Sequence, residues 1–238
     1  MTEARELLRQ YAGSGSDSAF SELVQRYINL VYSVAIRRVD GDAAMAQDIT
    51  QTVFTQLAQK AKGLPANVML GGWLHRHTCF AASTLLRGER RRHDREQQAV
   101  EMNMLNNSSE TIWKSLAPVL DEALDELPAL DRDALVLRYF EQRDLRAVGI
   151  AMGTNEDAAQ KRVSRAVEKL RDLLANKGVA LSAVALGTLL AAHAIVAAPA
   201  GSASLVSGKA LATAASAGAG ISLLGLNAKV ALSIAALA

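Results

Sequence analysis

"DLRAVGIAMGTNEDAAQKRVSRAVEKLRDLL", Asp144 to Leu174, holds two segments of helical period separated by a short turn. The first ends near Met152. "GTN" then makes a tight turn, with glycine free to take a positive φ. A longer helix begins near Glu156, where Ala159, Val163, Ala166, Val167, Leu170 and Leu174 recur at steps of 3 and 4 and form one apolar stripe. Gln160, Lys161, Ser164 and Arg165 lie off that stripe. Two helices joined by a glycine-containing turn, with polar and basic residues early on the second, make the helix-turn-helix pattern, whose second helix enters a DNA major groove. An αα-hairpin with a solvated charged face has the same pattern, so both readings stand at this point.

Upstream, "WLHRHTCFAASTLLRGERRRHDRE", Trp73 to Glu96, is a second basic helix. On a helical wheel Leu74, Thr78, Ala81, Ala82 and Leu85 share one side. Arg76, Phe80, Ser83, Thr84, Arg87 and Arg91 share another. One face can pack on a domain; the other offers arginines with an aromatic and hydroxyls between them. Guanidinium forks hold phosphates and aromatic faces stack on unpaired bases, a combination suited to DNA being opened. The alternative is a solvated helix end partly neutralised by its own acids. His75 and Cys79 stand at i,i+4, but His77 points elsewhere and no second ligand pair lies nearby, whereas structural zinc takes four ligands. Neither a metal site nor a cofactor is expected.

The rest of the chain is also helical in pattern. "TEARELLRQYA" is a short helix ended by "GSGSDS". Asp17 or Ser18 can cap the next helix, whose Phe20, Leu23, Val24, Tyr27, Val31 and Val34 form a stripe. After "VDGD" a further helix runs to about Lys62, punctuated by Gly63 and Pro65. The composition is 50% hydrophobic but only 4% aromatic, so alanine and leucine carry the apolar count and favour helix over strand. The expectation is an all-α chain. Two small helical domains at 1–95 and 113–177 are joined by a polar linker at 96–112, with a hydrophobic helical segment at 178–238. That last segment holds only Lys209 and Lys229 and no acid, leaving 24 basic and 24 acidic side chains in the first 178 residues. The basic charge is therefore local to the helices that carry it. The single cysteine, Cys79, excludes an internal disulfide and fits a reducing compartment. "MTEARELLRQ" has no apolar run behind a positive start, so no signal peptide is expected.

Residues 19–175 resemble an extracytoplasmic-function sigma factor of the sigma-70 family. "AFSELVQRYINLVYSVAIRRVDGDAAMAQDITQTVFTQL" is similar to the first helices of sigma region 2, with Asp48, Gln51 and Phe54 on its "D..Q.VF" pattern. "GGWLHRH" and "LLRGERRR" are similar to the helix that engages the −10 promoter element. "LDELPALDRDALVLRYFEQRDLRAVGIAMG" with "KRVSRAVEKLRDLL" resembles region 4, which reads the −35 element. The chain departs from the family pattern at Phe80, where asparagine is usual, and at Thr84, where an acid is frequent. It also has "AVG", Ala147 to Gly149, for the usual "EIA", and "AAQKR", Ala158 to Arg162, for "TVKSR".

The resemblance implies a non-enzymatic factor that lends promoter recognition to core RNA polymerase, with promoter DNA as second partner and an anti-sigma factor as a candidate third. It implies polymerase contacts at Asp48, Gln51 and Phe54, although Phe54 reads equally well as core. Contacts to −10 DNA are expected from Arg76, Phe80, Ser83, Thr84, Arg87, Arg90 and Arg91, with Phe80 the exposed aromatic and Trp73 a core anchor. Contacts to −35 DNA are expected from Gln160, Lys161, Arg162 and Arg165. A two-domain DNA-binding regulator acting without polymerase, and a protein-interaction module with basic faces, are the alternatives.

"GVALSAVALGTLLAAHAIVAA", Gly178 to Ala198, is free of charge and of membrane-spanning length. A weaker apolar run follows from Leu211 to Leu226. Lys169, Arg171 and Lys177 precede the first run, which favours a cytoplasmic N-terminal side. The expectation is cytoplasmic domains tethered to the membrane by a transmembrane tail; a soluble alanine-rich hairpin folded on the domains is the alternative.

Overall fold

Ser16 opens the second helix: its hydroxyl accepts a hydrogen bond from the Ala19 amide at 3.3 Å. The sequence points to Asp17 or Ser18 for this role. All three side chains carry a short oxygen that can cap, and Asp17 instead takes the first turn, where its charge meets the positive end of the helix. The computed structural model describes residues 3–93 and 109–216, with no strand among the described residues. Side chains of α4 are described as far as Arg87.

The N-terminal unit comprises α1 (Glu3–Ser14), α2 (Asp17–Arg38), α3 (Ala43–Lys60) and α4 (Leu70–His93), with a 3₁₀ turn at Ala61–Gly63. Asp42 caps α3 by accepting from Met45 N at 2.9 Å. The predicted α2 stripe forms the centre of this bundle: Phe20, Leu23, Val24, Val31 and Val34 are wholly buried. The second unit comprises α5 (Ser109–Glu126), α6 (Ala129–Leu135), a π-helical turn (Val136–Phe140), α7 (Leu145–Met152) and α8 (Glu156–Asn176). Helix α5 begins inside the expected linker, because Ile112 and Trp113 pack on the core. The rest of that linker, 96–108, lies outside the described residues.

The two units are docked on each other. Arg37 at the end of α2 donates from Nε and Nη2 to Asp121 of α5 at 2.8 and 3.0 Å, and from Nη1 to the Ala194 carbonyl at 2.7 Å. His75 of α4 pairs with the same carboxylate at 3.1 Å, and the Cys79 sulfur lies 3.9 Å from His75 Nδ1. Burial disfavours the His75 imidazolium, but Cys79 and Asp121 outweigh it and raise its pKa. Burial also opposes the Asp121 charge, and Arg37 and His75 outweigh it in turn. Gly71 and Gly72 allow the approach: a Cβ on either would collide with Glu141 or Asp133, respectively.

The membrane-spanning expectation for 178–198 is corrected by the structure. Helix α9 covers only Ala183–His193, 11 residues or about 16 Å, against a hydrocarbon core of about 30 Å. It ends at His193, and Ile195 to Pro199 run without helix. Leu186, Leu189 and Leu190 are buried against α5 and α8, and His193 stacks on Trp113 with ring centroids 5.3 Å apart. The basic residues that favoured a topology are in ion pairs: Lys169 with Asp131 at 2.6 Å, Arg171 with Asp172 at 2.7 Å, Lys177 with Glu126 at 2.8 Å. Residues 202–216 form a further helix, α10. No described helix is long and apolar enough to cross a membrane. The second apolar run lies outside the described residues beyond 216.

Candidate nucleic-acid interface

Helix α4 divides as its wheel requires. Leu74, Thr78 and Ala82 are buried, with Ala81 and Leu85 half-buried, while Arg76, Phe80, Thr84 and Arg87 are exposed. Phe80 leaves 63% of its surface open to solvent, a cost in apolar exposure that the core does not demand. Trp73 is half-buried and stacks on His77 at 3.6 Å. Ser83 accepts from Arg38 Nη2 at 3.0 Å, and Arg87 Nε donates back to the Ser83 carbonyl at 3.1 Å. Arg38 Nε is buried without a hydrogen-bond partner among the described residues. The sequence reading missed Arg38; the only signal for it is a pair of arginines closing an apolar helix. Arg90 and Arg91 lie outside the described side chains.

Part of this face borders an open cleft. A cleft of about 870 Å³ separates it from α5. Arg38, Lys60, Arg76, Phe80 and Ser83 line one wall, and Asp121, Glu122, Asp125 and Glu126 line the other. Arg76 stands 3.9 Å from Asp125. The cleft thus sets basic side chains of α2, α3 and α4 against carboxylates of α5.

The helix-turn-helix follows from its caps. Asp144 accepts from Ala147 N at 2.7 Å to start α7, Gly153 ends it at φ 71°, and Asn155 accepts from Ala158 N at 2.8 Å to start α8. The turn closes tightly on α7: a Cβ on Gly149 would lie 2.8 Å from the Asn155 carbonyl oxygen and 3.0 Å from that of Thr154. Gln160, Lys161, Ser164 and Arg165 are exposed on α8. Arg162 is not free with them. It pairs with the nearly buried Asp131 of α6 at 3.1 Å, so it holds α8 onto its own domain. The i+3/i+4 rows of the helix turn Arg162 toward α6, a contact that no pattern within α8 reveals.

On α3, Asp48 is exposed and Gln51 half-buried, whereas Phe54 is fully buried in the N-terminal core. Phe54 is therefore core, and α3 offers a surface through Gln47, Asp48 and Gln51. His75 and Cys79 share a face of α4, but His75 is spent on Asp121. No group of three or more His, Cys, Asp or Glu positioned for a metal exists among the described residues.

Two helical bundles share one chain, the second a helix-turn-helix, and each presents an exposed polar and basic helix face. Residues 23–92 match Sigma-70 region 2 and residues 119–170 match Sigma-70, region 4. The two matches, in that order, cover just over half of the chain, and the chain belongs to the sigma-70 family. It is 29% identical over 161 residues to the ECF RNA polymerase sigma factor SigE of Mycolicibacterium smegmatis, covering 66% of this chain and 62% of that protein. It is 29% identical over 163 residues to the RNA polymerase sigma factor CarQ of Myxococcus xanthus, covering 67% and 91%. The chain thus spans less than two thirds of SigE and most of CarQ. A structure of CnrH in complex with the cytosolic domain of CnrY matches at a TM-score of 0.37 and 20% identity, over 72% of this chain and 97% of that one, a likeness too slight to bear on function.

Proposed function

We propose that this chain is a sigma factor of the extracytoplasmic-function type, which joins core RNA polymerase and directs it to specific promoters. The observation that carries the reading is the occurrence of both sigma-70 regions in order on one chain, each with an exposed polar and basic helix face. Helix α3 docks on polymerase through Asp48 and Gln51. Helix α4 meets the −10 element: Arg76, Arg87, Arg90 and Arg91 hold phosphates and fix register. Phe80 stacks on an unpaired base, worth about 1–3 kcal/mol. Ser83 and Thr84 flank that base. Helix α8 enters the −35 major groove with Gln160, Lys161 and Arg165, where arginine pairs with guanine and glutamine with adenine. Arg162 supports that helix through Asp131. An anti-sigma factor, as a partner that covers these surfaces, fits the same reading.

The −10 face meets the α5 carboxylates in the described arrangement, so DNA enters after α4 and α5 separate. Phosphate attraction to Arg76 then replaces its contact with Asp125. Association with purified core polymerase and promoter-specific transcription test the proposal. A regulator acting without polymerase binds its operator unaided and yields no transcript in a core-dependent assay.

A further inference from the structure

We propose that residues 195–216 are a plug in cis over the polymerase-docking face of the N-terminal unit, and that this segment must leave before core polymerase binds. The inference rests on the assignment of α3 as the docking helix.

The segment is held at its root by polar side chains of α2 that bind its backbone. Val196 N donates to Ser33 Oγ at 2.6 Å and Ala198 N donates to Asn29 Oδ1 at 2.9 Å. Asn29 and Ser33 are one helical turn apart, so they grip alternate amides of an extended strand of peptide. Past Pro199, α10 borders a cleft whose other lining comes from Tyr32 of α2 and from Gln47, Asp48, Thr50 and Gln51 of α3. Gln51 Nε2 donates to the Val206 carbonyl at 3.4 Å. Asp48 and Lys209 line the same cleft. Val206 lines it too, and Val206, Ser207 and Ala210 of α10 are buried, Ala210 completely. A helix that seats its small apolar side chains beside Asp48 and Gln51 occupies the ground a polymerase helix would need, so the two cannot be bound together. This segment also lies past the end of the region 4 match at residue 170, so it is an addition to the family's two regions. Its alanine- and serine-rich surface buries little area per residue, which suits a contact that opens: each buried alanine contributes far less than a buried leucine or valine.

Two full-length variants test the plug against purified core polymerase. Ala210→Arg places a charge in the tail's buried seat and leaves the α2, α3 and α4 surfaces intact. Release of the tail is read from protease cleavage after Lys209. Its apparent Kd for core should fall about tenfold, as expected if about one wild-type molecule in ten is open. The pair Gln47→Cys with Lys209→Cys, joined by a short bismaleimide, keeps the tail seated. It should lose core binding relative to the same variant before crosslinking. Equal core affinity of the crosslinked and uncrosslinked forms overturns the plug while leaving the sigma reading in place, and so does an Ala210→Arg chain with a released tail and unchanged affinity. Failure of every form to bind core, the released one included, removes the docking assignment and the plug with it.

Discussion

Arg37 and Asp121 form a two-pronged ion pair, 2.8 and 3.0 Å, across the junction of the two helical units, with the Asp121 side chain wholly buried. The same guanidinium holds the Ala194 carbonyl at the root of the tail. A buried pair of this kind is a poor source of net stability but a costly thing to break, because the surviving charge stays buried. Asp121→Ala leaves both Arg37 and His75 without their partner. It should cost about 3–5 kcal/mol if the units stay docked. Relief of that cost by separation would appear as a larger radius of gyration in solution scattering. A variant that is as stable and as closed as the parent contradicts the role given to the pair.

The same junction should depend on pH. His75 has a raised pKa, so its contribution is complete below about 6.5, the ordinary histidine value, and fades as pH rises toward about 10. Asp121 has a lowered pKa, so its contribution is complete above its ordinary value near 3.8 and fades as pH falls toward about 2. Arg37, Cys79 and Asp133 are the other charged or titratable groups around His75. Stability from this site is greatest between the two ordinary values and declines on the alkaline side. Denaturant midpoints across pH 5 to 9 check this; His75→Gln should flatten the alkaline decline, and an equally steep decline in that variant counts against it.

Phe80 and the α8 residues should fail in different ways. Phe80→Ala should leave binding to a duplex −35 site unchanged and slow promoter melting, by about 1–3 kcal/mol of lost stacking. Permanganate reactivity of the −10 thymines reads the melting, and an unchanged signal removes the stacking role.

Arg165→Ala should weaken −35 binding and lower the salt slope by about 0.9 if it neutralises one phosphate. Its stability should stay within about 0.5 kcal/mol of the parent, as for an exposed surface change. Arg162→Ala should instead loosen the second unit, because Asp131 keeps only Lys169. Equal stability of the two variants contradicts the separation of roles.

Gly149→Ala isolates the turn. Alanine gains about 1 kcal/mol in helix propensity, but its Cβ meets two backbone carbonyls at 3.0 Å or less, and overpacking typically costs about 1–3 kcal/mol. A net loss of stability in the second unit is expected; a stabilised variant means the turn yields freely.

The helix-turn-helix was legible because its signals are local: Asp144, Gly153 and Asn155 set the ends and the apolar stripe sets the buried face. Phe80 was legible by wheel position alone. The His75–Asp121 contact was not, since it joins residues 46 apart in sequence and exists only when the units dock. The Arg162–Asp131 pair was illegible for the same reason: a cation's partner on another helix leaves no mark in its own helix. The tail misled because a charge-free Ala/Leu/Ser run reads the same whether it faces lipid or another helix. The decisive features are the end of α9 at His193 and the non-helical run from Ile195 to Pro199, which length and hydropathy alone undervalue. Asn29 and Ser33 carried no signal at all, because they bind backbone, which any sequence supplies.

The most direct measurement is transcription in vitro from a randomised promoter library with purified core RNA polymerase, using the full-length chain and the Ala210→Arg variant. Transcripts that start at a common promoter sequence with spaced −35 and −10 elements, absent without the chain and stronger with the variant, are the predicted result. No chain-dependent transcript from either protein, or transcripts without a shared promoter element, would contradict the assignment as a sigma factor.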